Sequence, residues 1–89
     1  MDFTWDPAKA ATNLRKHGVT FSEAATAFAD PLAAYYRDAV DPSRGILIGL
    51  SESARILVTV YVEVQLELVR IISARRANAR ERKAYEEGD

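Results

Sequence analysis

Arg55-Ile56-Leu57-Val58-Thr59-Val60-Tyr61-Val62-Glu63 is the stretch on which the fold turns. Between Ile56 and Val62 almost every residue is β-branched or aromatic, and the run is too short for a buried helix, so it predicts a strand. Successive strand side chains point to opposite faces. Ile56, Val58, Val60 and Val62 form a purely aliphatic set that is expected to face the helices. Arg55, Leu57, Thr59, Tyr61 and Glu63 are expected to point the other way, as a working surface or a salt-bridged edge.

Strand signals continue on both sides. Ala34-Tyr35-Tyr36-Arg37 and Ile46-Leu47-Ile48-Gly49-Leu50 precede it, separated by turn residues around Val40-Asp41-Pro42-Ser43 and Ser51-Glu52-Ser53-Ala54. Leu66 to Ser73 follows as a fourth strand. Such short connections predict an antiparallel meander. Helices flank it. Asp6-Pro7 starts one, with Asp6 as N-cap and Pro7 at the first helical position, and Lys16-His17-Gly18 ends it. Thr20-Phe21-Ser22-Glu23 is a capping box that opens a second helix, running through Phe28 and stopping before Asp30-Pro31. Asn78-Ala79-Arg80-Glu81 opens a third that ends near Gly88. With a short strand at Phe3-Thr4-Trp5, the order is β-α-α-β-β-β-β-α. The expected fold is α+β: an antiparallel sheet with an N-terminal helical hairpin and a C-terminal helix, in one domain over residues 1–89.

Composition removes whole classes of function. The 89 residues are 48% hydrophobic and 28% charged, the balance of an ordinary globule. With no cysteine and one histidine, a disulfide framework, a thiolate zinc site, a cysteine nucleophile and a histidine-based metal site are all disfavoured. No metal or cofactor is expected. The first residues lack the pattern of a signal peptide and no stretch approaches the roughly 20 apolar residues of a membrane span, so a cytoplasmic protein without a membrane partner is expected.

The net charge of −1 hides an asymmetry. Residues 1–69 hold six Lys/Arg against nine Asp/Glu, whereas residues 70–89 hold six against four. From Arg70 through Arg75, Arg76, Arg80 and Arg82 to Lys83 the only acid is Glu81, a pattern that points to a polyanionic partner. Arg75 and Arg76 are expected just after the last strand, with Arg80, Arg82 and Lys83 on the helix that follows. Guanidinium groups near a helix N-terminus suit phosphate. Metal-free RNA cleavage needs little more: a base near the 2′-hydroxyl, cations on the phosphoryl oxygens and an acid for the leaving oxygen. Glu63, His17 and Tyr61 are the available proton carriers. A dipole partner is the commoner fate of a histidine at a helix end such as His17, while for Arg55, Tyr61 and Glu63 on one strand face cross-strand ion pairing and a functional role weigh about equally.

The stretch Phe3-Thr4-Trp5-Asp6-Pro7-Ala8-Lys9, then Asn13-Leu14-Arg15-Lys16-His17-Gly18-Val19-Thr20-Phe21, resembles the opening of the BrnT family. Ile48-Gly49-Leu50-Ser51, Arg55-Ile56-Leu57-Val58 and Arg70-Ile71-Ile72-Ser73-Ala74-Arg75 agree too, as do Ala77, Glu81-Arg82 and Tyr85-Glu86. The resemblance implies a ribonuclease toxin of a type II toxin–antitoxin system with a RelE-like fold. It also implies an RNA substrate and a BrnA-type antitoxin, whose ribbon-helix-helix domain binds operator DNA. On that footing Arg75 and Arg80 are expected to hold the scissile phosphate, with Arg44 and Arg55 supplementing them and Arg76, Arg82 and Lys83 binding RNA. Glu63 or His17 is expected to transfer the proton. Leu47, Leu57, Val69 and Ile71 are expected to anchor the antitoxin, on the sheet face away from the helical hairpin. The chain departs from the family pattern at Ser43, Val64, the Val64-Gln65-Leu66 turn and Ala79. Those departures motivate a second reading: a catalytically weak module that binds an antitoxin and supports operator repression.

Overall fold

In the computed structural model, which describes residues 1–88, the Asp6 carboxylate accepts the Ala8 N–H at 2.9 Å and opens α1 (Pro7–His17). Gly18 closes it in the left-handed conformation, at φ 68°. The Thr20 hydroxyl then accepts the Glu23 N–H at 3.0 Å and opens α2 (Phe21–Thr26). This helix is shorter than its sequence suggests. It tightens into a 3-10 turn over Ala27–Ala29 before Asp30 turns the chain away. α3 (Ala79–Glu87) carries the full reciprocal capping box between Asn78 and Glu81 and ends on a left-handed Gly88.

The strands are β1 (Asp2–Thr4), β2 (Ala34–Arg37), β3 (Gly45–Leu50), β4 (Ile56–Gln65) and β5 (Leu68–Arg76), in the spatial order β1-β5-β4-β3-β2. β2 to β5 form the expected antiparallel meander. β1 does not follow it. It runs parallel to β5, with Phe3 beside Val69, so the sheet is mixed rather than antiparallel. A stretch this short carries no signal for the direction of pairing. Phe3 is partly buried there, its ring meeting Phe28 edge-on with centroids 5.0 Å apart. β4 and β5 are also longer and later than expected, so Arg75 and Arg76 are the last residues of β5 rather than the start of a loop.

The faces of β4 are reversed relative to expectation. Leu57 packs with Val19, Phe21, Ala24, Ile71 and Ala74 under the helical hairpin, and Tyr61 packs with Ala27, Leu47 and Val69. Val58 and Ile48 lie on the other side, with Ala77 and the partly buried Ile46, Ile56 and Tyr85. The odd set therefore makes the main core. Leu47, Leu57, Val69 and Ile71 are buried there and are not available as antitoxin anchors. Both sheet faces are covered, one by α1 and α2 and the other in part by α3. An aliphatic stripe alone cannot choose between two covered faces, and the larger Leu57 and Tyr61 side chains fill the deeper layer.

Asn13 fastens α1 to the sheet. Its amide donates to the Ala74 carbonyl at 2.8 Å and the Val19 carbonyl at 3.0 Å, and its oxygen accepts the Ala74 N–H at 3.0 Å. A side chain thus stands in for a strand partner beyond the end of β1. Asp30 fastens the opposite side, accepting the Leu50 N–H at 2.8 Å and the Tyr85 hydroxyl at 2.5 Å. Burial, and then the bond to Asp30 and its negative charge, push the Tyr85 phenol up to about 12.

Candidate nucleic-acid interface

β5 delivers Arg75 to the sheet end where α3 begins. Its two terminal nitrogens donate to the two Glu81 oxygens, each at 2.7 Å, and one of them also reaches the Arg76 carbonyl at 3.3 Å. Glu81 is placed by its own helix cap, since it accepts the Asn78 N–H at 2.9 Å. The pairing raises Arg75 and holds the Glu81 carboxyl below its usual range, overcoming the opposing effect of burial on each. Arg75 remains 43% exposed, so one edge of a fixed guanidinium faces solvent. Arg76 and Arg80 are exposed beside it in sequence. Arg82 donates to the Ala77 carbonyl at 3.0 Å, and Lys83 is exposed on α3.

Between α1 and β5 lies an open cleft of about 330 Å³. Lys9, Thr12, Lys16, His17 and Ser73 line it with Ile72, and no carboxylate among the described residues does. Helical geometry explains the gathering: Lys9 and Lys16 stand seven residues apart with Thr12 and Asn13 between them, so all lie on one side of α1. Ser73 shares its sheet face with Arg75, since they oppose Val60 and Val58 respectively. The cleft ends at Ser73, two residues before Arg75 on the same strand. Lys9 and Lys16 are absent from the site expected from sequence. Their helical spacing was the available signal, diluted by the other polar residues of an exposed helix.

The remaining candidates separate. Arg55 lies on the hairpin side, where its guanidinium engages both Glu23 oxygens and donates to the Gly18 carbonyl at 3.1 Å. Hydrogen bonding from Arg55 holds the Glu23 carboxyl below its usual range against the effect of burial, aided by Ser51 and by the charges of Arg55 and Arg76. His17, joined to Gly18, belongs to this same end of the molecule. Arg44 and Glu63 do not. Arg44 sits in the β2–β3 connection, 3.5 Å from Asp41. Glu63 opposes Val69, roughly 17 Å along β4 from Val58 and Arg75 at about 3.4 Å per residue.

A family model described as "Ribonuclease toxin, BrnT, of type II toxin-antitoxin system" matches residues 5–81. The chain belongs to the BrnT family. Among solved structures it is similar to the Brucella abortus ribonuclease toxin BrnT, with 26% identity and a TM-score of 0.72. That likeness covers 88% of this chain and 97% of the other. No curated protein matches it. As a BrnT-family protein it falls among ribonuclease toxins, whose type II systems pair a toxin acting on RNA with a protein antitoxin. The matched residues contain the cleft lining, Arg75, Arg80 and Glu81. No described helix is long and apolar enough to cross a membrane.

Proposed function

We propose that this BrnT-family chain is a metal-independent endoribonuclease of RelE-like type that acts in the cytoplasm, inhibits translation by cutting RNA, and is neutralised by a BrnA-type antitoxin that links it to operator DNA. The observation that carries the reading is the cleft of Lys9, Lys16 and His17, which reaches Ser73 on β5, two residues from a preset Arg75. A single RNA strand laid along it meets cations at successive phosphates.

In that arrangement Arg75 and Arg80 face the scissile phosphate and balance the charge that grows on its non-bridging oxygens. The 2′-hydroxyl oxygen attacks phosphorus and its proton passes to a base. The bond to the 5′ oxygen breaks, and that oxygen takes up a proton. A 2′,3′-cyclic phosphate and a 5′-hydroxyl result. His17 is the proton carrier at this end of the sheet, since an imidazole can both accept and donate a proton. Arg82 and Lys83 extend the cationic surface along α3, and Arg76 adds a charge at the end of β5. Arg55 acts at one remove, since it fixes the α1–α2 connection that follows His17.

Antitoxin-free protein is expected to cut RNA in EDTA and to leave cyclic-phosphate ends detectable by mass spectrometry. Cleavage abolished by chelation and restored by a divalent cation contradicts the metal-free mechanism. One observation favours the weaker-catalyst reading: both Arg75 terminal nitrogens are already committed to Glu81. Expression of the chain alone in a susceptible bacterium separates the two. Growth arrest relieved by Arg75→Ala supports the enzyme, and normal growth with abundant folded protein supports the binding module.

A further inference from the structure

The end of the sheet away from Arg75 carries a second cleft, of about 200 Å³, enclosed by the β4–β5 hairpin, β2 and the 3-10 turn. Phe28, Tyr35 and Tyr61 supply rings, Glu63 and Glu67 carboxylates, and Leu66 an apolar rim. No lysine or arginine lines it. Phe28 and Tyr61 meet edge-on at 5.1 Å between centroids. Tyr61 is only 8% exposed, and its hydroxyl, unpartnered among the described residues, is the part that stays open to the cleft. Its ring is seated over Gly45, where a β-carbon would collide with it, so the phenol is held in place. Glu63 makes no ion pair among the described residues, while Glu67 already takes a cation, the Met1 amino group at 3.3 Å. The rim is greasy: Leu66 is 92% exposed, Tyr35 55% and the neighbouring Val64 49%.

We infer that this cleft is a docking pocket for the protein antitoxin, and that it takes an arginine side chain flanked by an apolar residue. The inference rests on the toxin–antitoxin reading above and adds the surface and the chemistry of the contact. Carboxylates and a phenol oxygen accept N–H donors, and aromatic faces attract a cation, so the lining suits a planar guanidinium. Val64 and Leu66 offer the apolar contact that must carry much of the affinity, since exposed ion pairs contribute only about 0–1 kcal/mol each. Glu63 and Glu67 repel phosphate, which separates this pocket from the RNA cleft at the other end of β5. With Leu47, Leu57, Val69 and Ile71 buried, the hairpin tip supplies the anchors that the sheet face does not.

The test uses the full chain, isotopically labelled, with two probes followed by NMR: the capped dipeptide acetyl-Leu-Arg-amide and a short 2′-O-methyl RNA that resists cleavage. The dipeptide is expected to shift resonances of Tyr35, Tyr61, Glu63 and Leu66, and the RNA those of Lys16, His17 and Ser73. Glu63→Gln and Leu66→Ser are each expected to weaken dipeptide binding at least fivefold while leaving the melting temperature unchanged. Leu66→Ser should retain full RNA cleavage. Dipeptide shifts elsewhere or nowhere, or RNA shifts centred on Tyr61, overturn the inference. So does loss of RNA cleavage in Glu63→Gln with dipeptide binding intact, which returns Glu63 to catalysis. Failure of the parent protein to cut RNA while the dipeptide still binds at Glu63 removes the ribonuclease reading and leaves this pocket standing.

Discussion

At one end of the β4–β5 pair Arg75 opposes Val58 and gives both terminal nitrogens to Glu81; at the other, Glu63 opposes Val69 and its carboxylate meets no cation among the described residues. The two ends belong to the same two strands and the same alternation, yet they differ in what comes over them. α1 and α3 close on the Arg75 end and bring Lys16, His17 and Glu81. The Tyr61 end receives the Phe28 and Tyr35 rings and the exposed hairpin tip with Val64 and Leu66. Charges that a neighbouring element holds are preorganised for a ligand that must be gripped in one geometry. Groups left open at an apolar rim suit a partner that brings its own complement.

The sharpest way to break this contrast is at Arg75. Arg75→Ala is expected to lower the rate of RNA cleavage by about 10²–10³-fold, the usual cost of removing one preorganised donor to a developing oxyanion. Arg75→Lys should also be damaging, because an ammonium keeps the charge and loses the fork. Full cleavage by the Lys variant in a single-turnover assay makes Arg75 a structural partner of Glu81 and nothing more.

Asn13 tests whether α1 is needed to complete the cationic end. Asn13→Ala leaves the Ala74 N–H and carbonyl and the Val19 carbonyl without their partner. A loss of about 2–4 kcal/mol is expected in denaturant unfolding. Hydrogen exchange should quicken at Ala74 and in α1 while the β4–β5 hairpin tip keeps its protection.

A smaller effect is expected from the lysines. Lys9→Ala with Lys16→Ala should flatten the dependence of RNA affinity on salt by about 0.7 per lost phosphate contact, roughly 1.4 for the pair. The same pair should leave dipeptide binding at Glu63 unaltered. An unchanged salt slope in fluorescence titrations places the RNA path away from α1.

Acid tests the two ion pairs at the Arg75 end. Glu23 and Glu81 both titrate below their usual 4.5, through Arg55 and Arg75 respectively. Stability from a depressed carboxylate is present above the unfolded pKa and is lost as pH falls through the folded one. The stabilisation from these two pairs should therefore be lost progressively below about pH 4.5. Glu81→Gln should flatten that part of the pH–stability curve, and an unaltered curve contradicts the assignment. The smallest change is expected from Thr59→Val. The Thr59 hydroxyl is buried without a hydrogen-bond partner among the described residues, so its removal should raise stability by about 1 kcal/mol in thermal melts.

Most of the secondary structure was legible because local chemistry dictates it. Asp6-Pro7, Gly18, Thr20 and the Asn78–Glu81 box mark helix ends through hydrogen bonds a few residues long, and each stands where the residues require. The candidate site was legible only as an arginine count. Arg75, Arg80 and His17 fall at one end of the molecule, whereas Glu63 and Arg44 fall at the other, because a strand as long as Ile56–Gln65 separates residues that share a face. Lys9 and Lys16 gained meaning only when β5 came alongside them.

By itself, the sequence determined the elements, the order of the meander and the excess of cations from Arg70 onwards, since propensity, capping and net charge act over short separations. Tertiary structure alone decided three things: that Leu57 and Tyr61 rather than Val58 and Val60 face the helical hairpin, that β1 joins β5 in parallel, and that Glu81 holds Arg75 while Glu63 stays open. The physical reason is common to all three. A two-residue period fixes which side chains share a face but not which face is covered, and which element covers it depends on how the whole chain packs its largest side chains.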